Sequence, residues 1–331
     1  MRTHRFSSRG RQRGAALATV GIFMIVLAGM AVVGVDVGRL AYTATETQVV
    51  ADAGAVAYAK TMLDNEVYDR NDSPFDAADQ VVADNSIDGK SASAAKVEYA
   101  VGKFDFEARE FRPGGFPSNA VRATGAATID NIFAGMFGNG SSTVERLAVA
   151  AFGGAGQARP TLPVAVGDCF FKRYERSDKC SDLPKLSQVP DGTDNSCWTS
   201  LRPTGANTSE VIDMLPEECC GGGRCGGGQL SPLVSVGNQI NIVNGQQSKI
   251  LQVLADCVDQ GIDEFVIPIV ECGKCNQVAP VVGFATVTLT RVQDTGKNKG
   301  IAVDALCRSE SEGGAPGGGG NYGLKTLALV K

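Results

Sequence analysis

The chain has 331 residues, room for an anchor and two domains of ordinary size; 6% aromatic residues and 41 Gly suit helix contacts, strands and open loops better than a large enzyme core. Its net charge of −5 is unevenly placed, because residues 1–35 hold five Arg and no acid, leaving −10 on the remainder. That average field repels phosphates, and no Lys/Arg stripe interleaved with aromatics overcomes it, so nucleic acid is excluded as a partner.

Arg2, Arg5, Arg9, Arg11 and Arg13 mark residues 1–14 as a basic cytosolic tail. Ala15–Val35 follows with AALATVGIFMIVLAGMAVVGV, 21 residues free of charge and Pro. A helix of that length rises about 31 Å, enough to cross a bilayer. Residues 15–35 therefore predict a single transmembrane helix, longer than the run of about 7 to 15 apolar residues in a cleaved signal peptide. The positive-inside bias keeps the amino terminus cytoplasmic and places the rest, from Asp36 onward, on the far side of the membrane, outside the cytoplasm. Past Asp36 an Ala-rich helical pattern continues to about Leu63. Ala44, Ala51, Ala55 and Ala59 line one face of it, to be covered either by the protein's own sheet or by a partner helix.

These residues carry a resemblance. Arg13-Gly14, the apolar run, Asp36, Gly38 and Arg39 within VDVGR, then Gln48 and Ala51-Asp52-Ala53, resemble the amino-terminal segment of Tad-type (tight adherence, Flp pilus) assembly proteins, the TadE/TadG-like group. The family motif thus falls on Gly14, Asp36, Gly38, Arg39, Gln48, Ala51 and Asp52. The resemblance implies a membrane-anchored structural or assembly component of a Tad-type pilus or secretion apparatus, acting through contacts with other proteins of that machine.

Ser73-Pro74-Phe75-Asp76 predicts a second helix start, with Ser as cap and Pro at the first helical position. Val97, Tyr99 and Val101 alternate, Gly102-Lys103 reads as a turn, and Phe104 and Phe106 alternate again, a hairpin pattern. Further strands are predicted at 120–128 and 144–152. A long helix followed by an antiparallel meander is a pilin-like layout, assigned to residues 36–153. Residues 154–168 read as a linker and 169–230 as a Cys-rich loop insertion ending in GGGRCGGG. Residues 231–331 read as a β-rich domain with one helix, marked by Ile250, Leu251, Leu254 and Val258. Its strands fall at Phe265–Val270 and 285–290, with 301–308 and 324–330 as partners of the latter; SEGGAPGGGGNYG reads as a long surface loop. The fold class is α+β.

All ten cysteines, Cys169, Cys180, Cys197, Cys219, Cys220, Cys225, Cys257, Cys272, Cys275 and Cys307, lie in the second half. Outside the cytoplasm they read as disulfides holding a loop-rich segment, with the pairing open. A zinc site is disfavoured because the single His, His4, lies at the other end of the chain. Cys272-Gly-Lys-Cys275 resembles the redox loop of thioredoxin-like oxidoreductases. Such a loop needs a following helix to activate its thiolate, whereas Pro280 and an alternating strand follow here. The GxGxxG matches at Gly221–Gly226 and Gly318–Gly323 lack the strand and helix of a dinucleotide site, and a calcium-loop imitation from Asp84 has Ala95 where Glu is required. No catalytic residue, cofactor, metal or small-molecule substrate is expected. An exported thiol-disulfide oxidoreductase using Cys272 and Cys275, or a membrane-anchored adhesin, is the alternative.

Overall fold

The computed structural model describes residues 9–92, 96–177, 179–189, 196–205, 208–216, 219, 231–243, 248–273, 275, 277–296, 299–310, 316–317 and 319–330, without the side chains of 9–15, 28, 31, 32, 136, 137, 176, 177 and 310. The fold is α+β. It opens with α1 (Arg9–Tyr68) and α2 (Pro74–Ala83). Ser73 caps α2 as its sequence requires: the Oγ accepts the Asp76 N–H at 3.2 Å, and Pro74 takes the position where a missing N–H costs nothing. The small hairpin β1 (Ser86–Ile87) and β2 (Lys90–Ser91) leads to β3 (Lys96–Asp105), β4 (Glu110–Pro113), β5 (Ala120–Asp130) and β6 (Ser141–Gly154). Then come β7 (Gln157–Ala158), β8 (Val164–Gly167), α3 (Lys172–Ser177), β9 (Lys185–Val189), β10 (Ser196–Thr199), α4 (Thr208–Ile212), β11 (Val234–Ser235), β12 (Gln239–Val243) and α5 (Ser248–Asp259). The chain finishes with β13 (Glu264–Val270), β14 (Gln277–Gln293), β15 (Gly300–Leu306), β16 (Arg308–Glu310) and β17 (Leu324–Leu329).

One sheet runs in the order β16-β17-β6-β5-β3-β4 and another in the order β12-β10-β8-β13-β14-β15-β9. The described residues fall into two compact units, one drawn from 1–54, 79–98 and 123–148 and one from 55–78, 99–122 and 149–331.

In the first unit α1 changes character along its length. Leu17, Ile22, Phe23, Met24, Ile25, Val33 and Val35 are all exposed, whereas Thr43, Ala44, Thr47, Val50 and Ala51 are buried at helical spacing. Strand β5 supplies part of the cover. A Cβ at Gly125 would stand 3.5 Å from Thr47 Cγ2 and 3.6 Å from Ala51 Cβ, ordinary contact distance. Val50 packs with Val82, Ile87 and Ala127. Of the two readings of the alanine stripe, the first therefore applies to Ala44 and Ala51: the protein's own fold covers them. In the second unit Ala55 and Ala59 are likewise fully buried. Among the described residues no helix is long and apolar enough to cross a membrane; the side chains of Ala28, Ala31 and Val32, inside the uncharged run, lie outside that set.

In the second unit β12 pairs with both β10 and β14, so β12, β10, β8, β13 and β14 close a ring of strands. Register shifts between Ile269 and Val270 and between Leu289 and Arg291 mark bulges, the usual device for bending strands into such a ring. Most pairings are antiparallel, but β13 with β8 and β16 with β17 are parallel. Helix α5 follows its apolar pattern, with Ile250, Leu251 and Leu254 buried.

Several expectations are corrected. Gly102-Lys103 is no turn: β3 runs straight through it, and the return strand β4 pairs Gly102 with Pro113. Glycine is needed there because a Cβ would collide with the Arg112 carbonyl oxygen. Residues within 169–230 are not all loop, since β9 and β10 join the second sheet. The last strand, β17, pairs with β6 rather than with β14. Part of the glycine-rich stretch before it is closely packed. A Cβ at Gly317 would stand 2.5 Å from Phe106, and one at Gly154 would stand 2.5 Å from the Gly320 carbonyl oxygen. Cys220, Cys225 and the glycine match at 221–226 lie outside the described residues.

Candidate functional site

Of the motif residues on α1, Asp36 and Arg39 lie at the end of the first unit nearest the uncharged run, while Gln48, Ala51 and Asp52 lie further along the helix. Asp36 lies one residue past that run, and its carboxylate accepts three backbone N–H groups of the segment joining β5 to β6: Ile132 and Phe133 at 3.0 Å and Ala134 at 2.7 Å. The last two open the short 3-10 turn Ala134–Phe137, whose first N–H groups have no partner inside the turn. The Ala134 N–H, joined by those of Phe133 and Ile132 and by the nearby Arg39 charge, holds the Asp36 carboxyl below the usual aspartate value of 3.8 against the opposing effect of burial. A carboxyl lowered in this way gives its full contribution above that usual value and loses it as pH falls through the lowered one, so the clamp is intact at neutral pH.

Arg39 stands nearly one turn further along. Its Nε donates to Asp88 Oδ1 at 3.0 Å, a second arm reaches Asp88 Oδ2, and Nη1 donates to the Asp130 carbonyl at 2.9 Å. This hydrogen bond and charge lower the Asp88 carboxyl. Asp88 also donates its N–H to Glu46 Oε2 at 2.7 Å. Gln48 spans Asp52 Oδ1 at 2.7 Å and the Leu147 carbonyl at 3.2 Å. Asp36, Arg39 and Gln48 thus bolt α1 to the loop after β5, to the β1–β2 turn and to β6, while Ala51 supplies the small contact beneath β5. Asp52 orients Gln48. Gly38 is different: nothing lies within 4 Å of where its Cβ would be, so it faces open space. Gly14 is helical, and its surroundings are not described.

Sequence reasoning missed three members of this joint, Glu46, Asp88 and Asp130. The only local hint was the Asp88-Gly89 pair, whose backbone at φ 51° and 70° makes the tight turn that presents Asp88.

The cysteines take no part in it. Four disulfides occur among the described residues: Cys169–Cys272, Cys180–Cys307, Cys197–Cys275 and Cys219–Cys257. Each of the four ties a cysteine of 169–230 to one beyond it, so these bonds fasten the segment to the following domain. Cys272 and Cys275 are bonded to different partners, which leaves the CxxC pair without the vicinal dithiol that exchange chemistry uses. Asp168, Cys169 and Cys272 lie close enough to resemble a metal site, but the disulfide occupies both sulfurs.

Together these features define an α+β protein whose motif residues act as joints between a helix and its sheet. Residues 46–150 match the family described as "Putative Tad-like Flp pilus-assembly". The match spans about a third of the chain and bears out the resemblance seen at the amino terminus: the chain is similar to Tad-type assembly proteins. Comparison with curated proteins finds no match, and comparison with solved structures finds none.

Proposed function

We propose that this chain is a membrane-anchored, non-enzymatic assembly component of a Tad-type pilus or secretion apparatus. It crosses the inner membrane once through residues 15–35, keeps its amino terminus in the cytoplasm and works outside by contacting other machine proteins. The family match carries the assembly role. The anchor is supported by sequence and exposure together. Among the described residues, the large apolar side chains Leu17, Ile22, Phe23, Met24, Ile25, Met30, Val33 and Val35 are exposed, and at roughly 25 cal/mol per Å² of apolar surface left in water such a run is stable only in lipid or against a partner. The long helix bearing an antiparallel sheet supports a pilin-like reading of the first half. Separate bonding of Cys272 and Cys275 weighs against the oxidoreductase alternative.

Affinity purification of the full chain from its native host after mild in-cell crosslinking tests the role. Other components of the pilus machine are expected to co-purify, and deletion of the chain is expected to abolish surface pili. Normal piliation of the deletion strain, with no machine protein recovered, contradicts the proposal.

A further inference from the structure

Resting on the anchor just proposed, we infer that the loop joining β5 to β6 is a second lipid contact, lying in the periplasmic-leaflet interface beside the point where α1 leaves the bilayer. Asn131–Gly140 reads NIFAGMFGNG, ten residues without a charge, between Asp130 and Glu145. A surface loop in water is normally polar. This one presents Ile132 half exposed, at 53%.

Its depth is set by the clamp. Three N–H bonds hold Ile132, Phe133 and Ala134 to Asp36, the first residue after the uncharged run. The loop also reaches back past that level. A cavity of about 260 Å³, mostly apolar in its walls, is lined by Val33, Val37 and Leu40 of α1 and by Asn131, Ala134 and Asn139 of the loop. Val33 lies inside the run assigned to lipid, so loop and helix share a stretch at the membrane boundary. On the helix side the exposed apolar surface is continuous, with Val33, Val35 and Val37 each at least half exposed.

The loop is built to keep its shape. Asn131 N–H donates to the Gly140 carbonyl at 3.0 Å, Asn131 Nδ2 to the Asn139 carbonyl at 2.9 Å, and Ser142 Oγ to Asn131 Oδ1 at 3.1 Å. Gly138, at φ 91°, turns the chain back in a conformation open to glycine. The backbone polar groups named here are satisfied internally, which lowers the cost of bringing them near hydrocarbon. Lipid rather than a protein partner is the occupant because the surface continues the apolar one of the spanning segment as far as Val37 and is bounded by the charged residues Arg39, Asp130 and Glu145.

The test uses the full chain in phosphatidylethanolamine/phosphatidylglycerol vesicles at low protein density. Its single tryptophan, Trp198, is buried and supplies both a baseline and a check on folding. Ile132→Trp adds a reporter at an exposed position, and Val26→Trp adds one within the anchor. Spin-labelled lipids carrying the label near the headgroup are expected to quench the Ile132→Trp emission to roughly half, as for a segment sitting about 5–10 Å into the headgroup/acyl boundary, while deep labels quench Val26→Trp and Trp198 is untouched. Quenching of Val26→Trp with none of Ile132→Trp overturns the loop inference and leaves the anchor standing. A blue-shifted but unquenched Ile132→Trp also overturns it, showing a protein cover instead. If Val26→Trp itself is unquenched, the anchor reading fails first.

Discussion

Replacing Cys197 and Cys275 together by Ala lowers the stability of the full chain by about 2–4 kcal/mol. The reason lies in the topology of the crosslinks. The bond spans 78 residues of sequence, but Cys169–Cys272 already ties the same regions together. With that bond kept, the circuit closed is only about 30 residues, worth roughly 3–4 kcal/mol in the chain-entropy model. Both sulfurs sit in one buried apolar cluster with Ile240, Val270, Val281 and Phe284, so alanine adds no buried polar group. Urea unfolding of the detergent-solubilised protein followed by Trp198 emission measures it, since Trp198 adjoins Cys197 in β10 and is 2% exposed. An unchanged midpoint contradicts the pairing.

Ala51→Leu is expected to cost about 1–3 kcal/mol of folding stability, the usual penalty for overpacking a closed contact. Ala51 is fully buried, and the gap between it and the backbone of β5 at Gly125 has room for about one methyl group, less than a leucine side chain adds. Thermal unfolding of wild type and mutant decides between this and a partner groove. Unchanged stability with loss of machine partners would mean that the face is open in the cell.

Much of this was legible locally. The helical conformation of the uncharged run, the Ser73-Pro74 start of α2, the amphipathic α5 and the alternation in β14 each depend on neighbours within a few residues, and the structure follows them. What escaped depends on distant chain. Gly102 carries the same local sign whether it turns a strand or lets another approach, and only β4 decides. The destination of β17, whose Leu327 pairs with Phe152 of β6 about 175 residues earlier, has no local signature. Cysteine count implied disulfides, but pairing is a tertiary property. Likewise the motif residues were visible as a pattern, yet their work, clamping a loop 96 residues away in the case of Asp36, appears only once the chain is folded.

The central claim is an exported protein held by an uncleaved anchor, and a topology reporter tests it most directly. Alkaline phosphatase fused after Lys331 is expected to be active, on a mature chain that still begins ahead of the apolar run, because the enzyme folds only where disulfides form. An inactive fusion whose expression is confirmed, or a mature chain that begins near Asp36, would contradict the account.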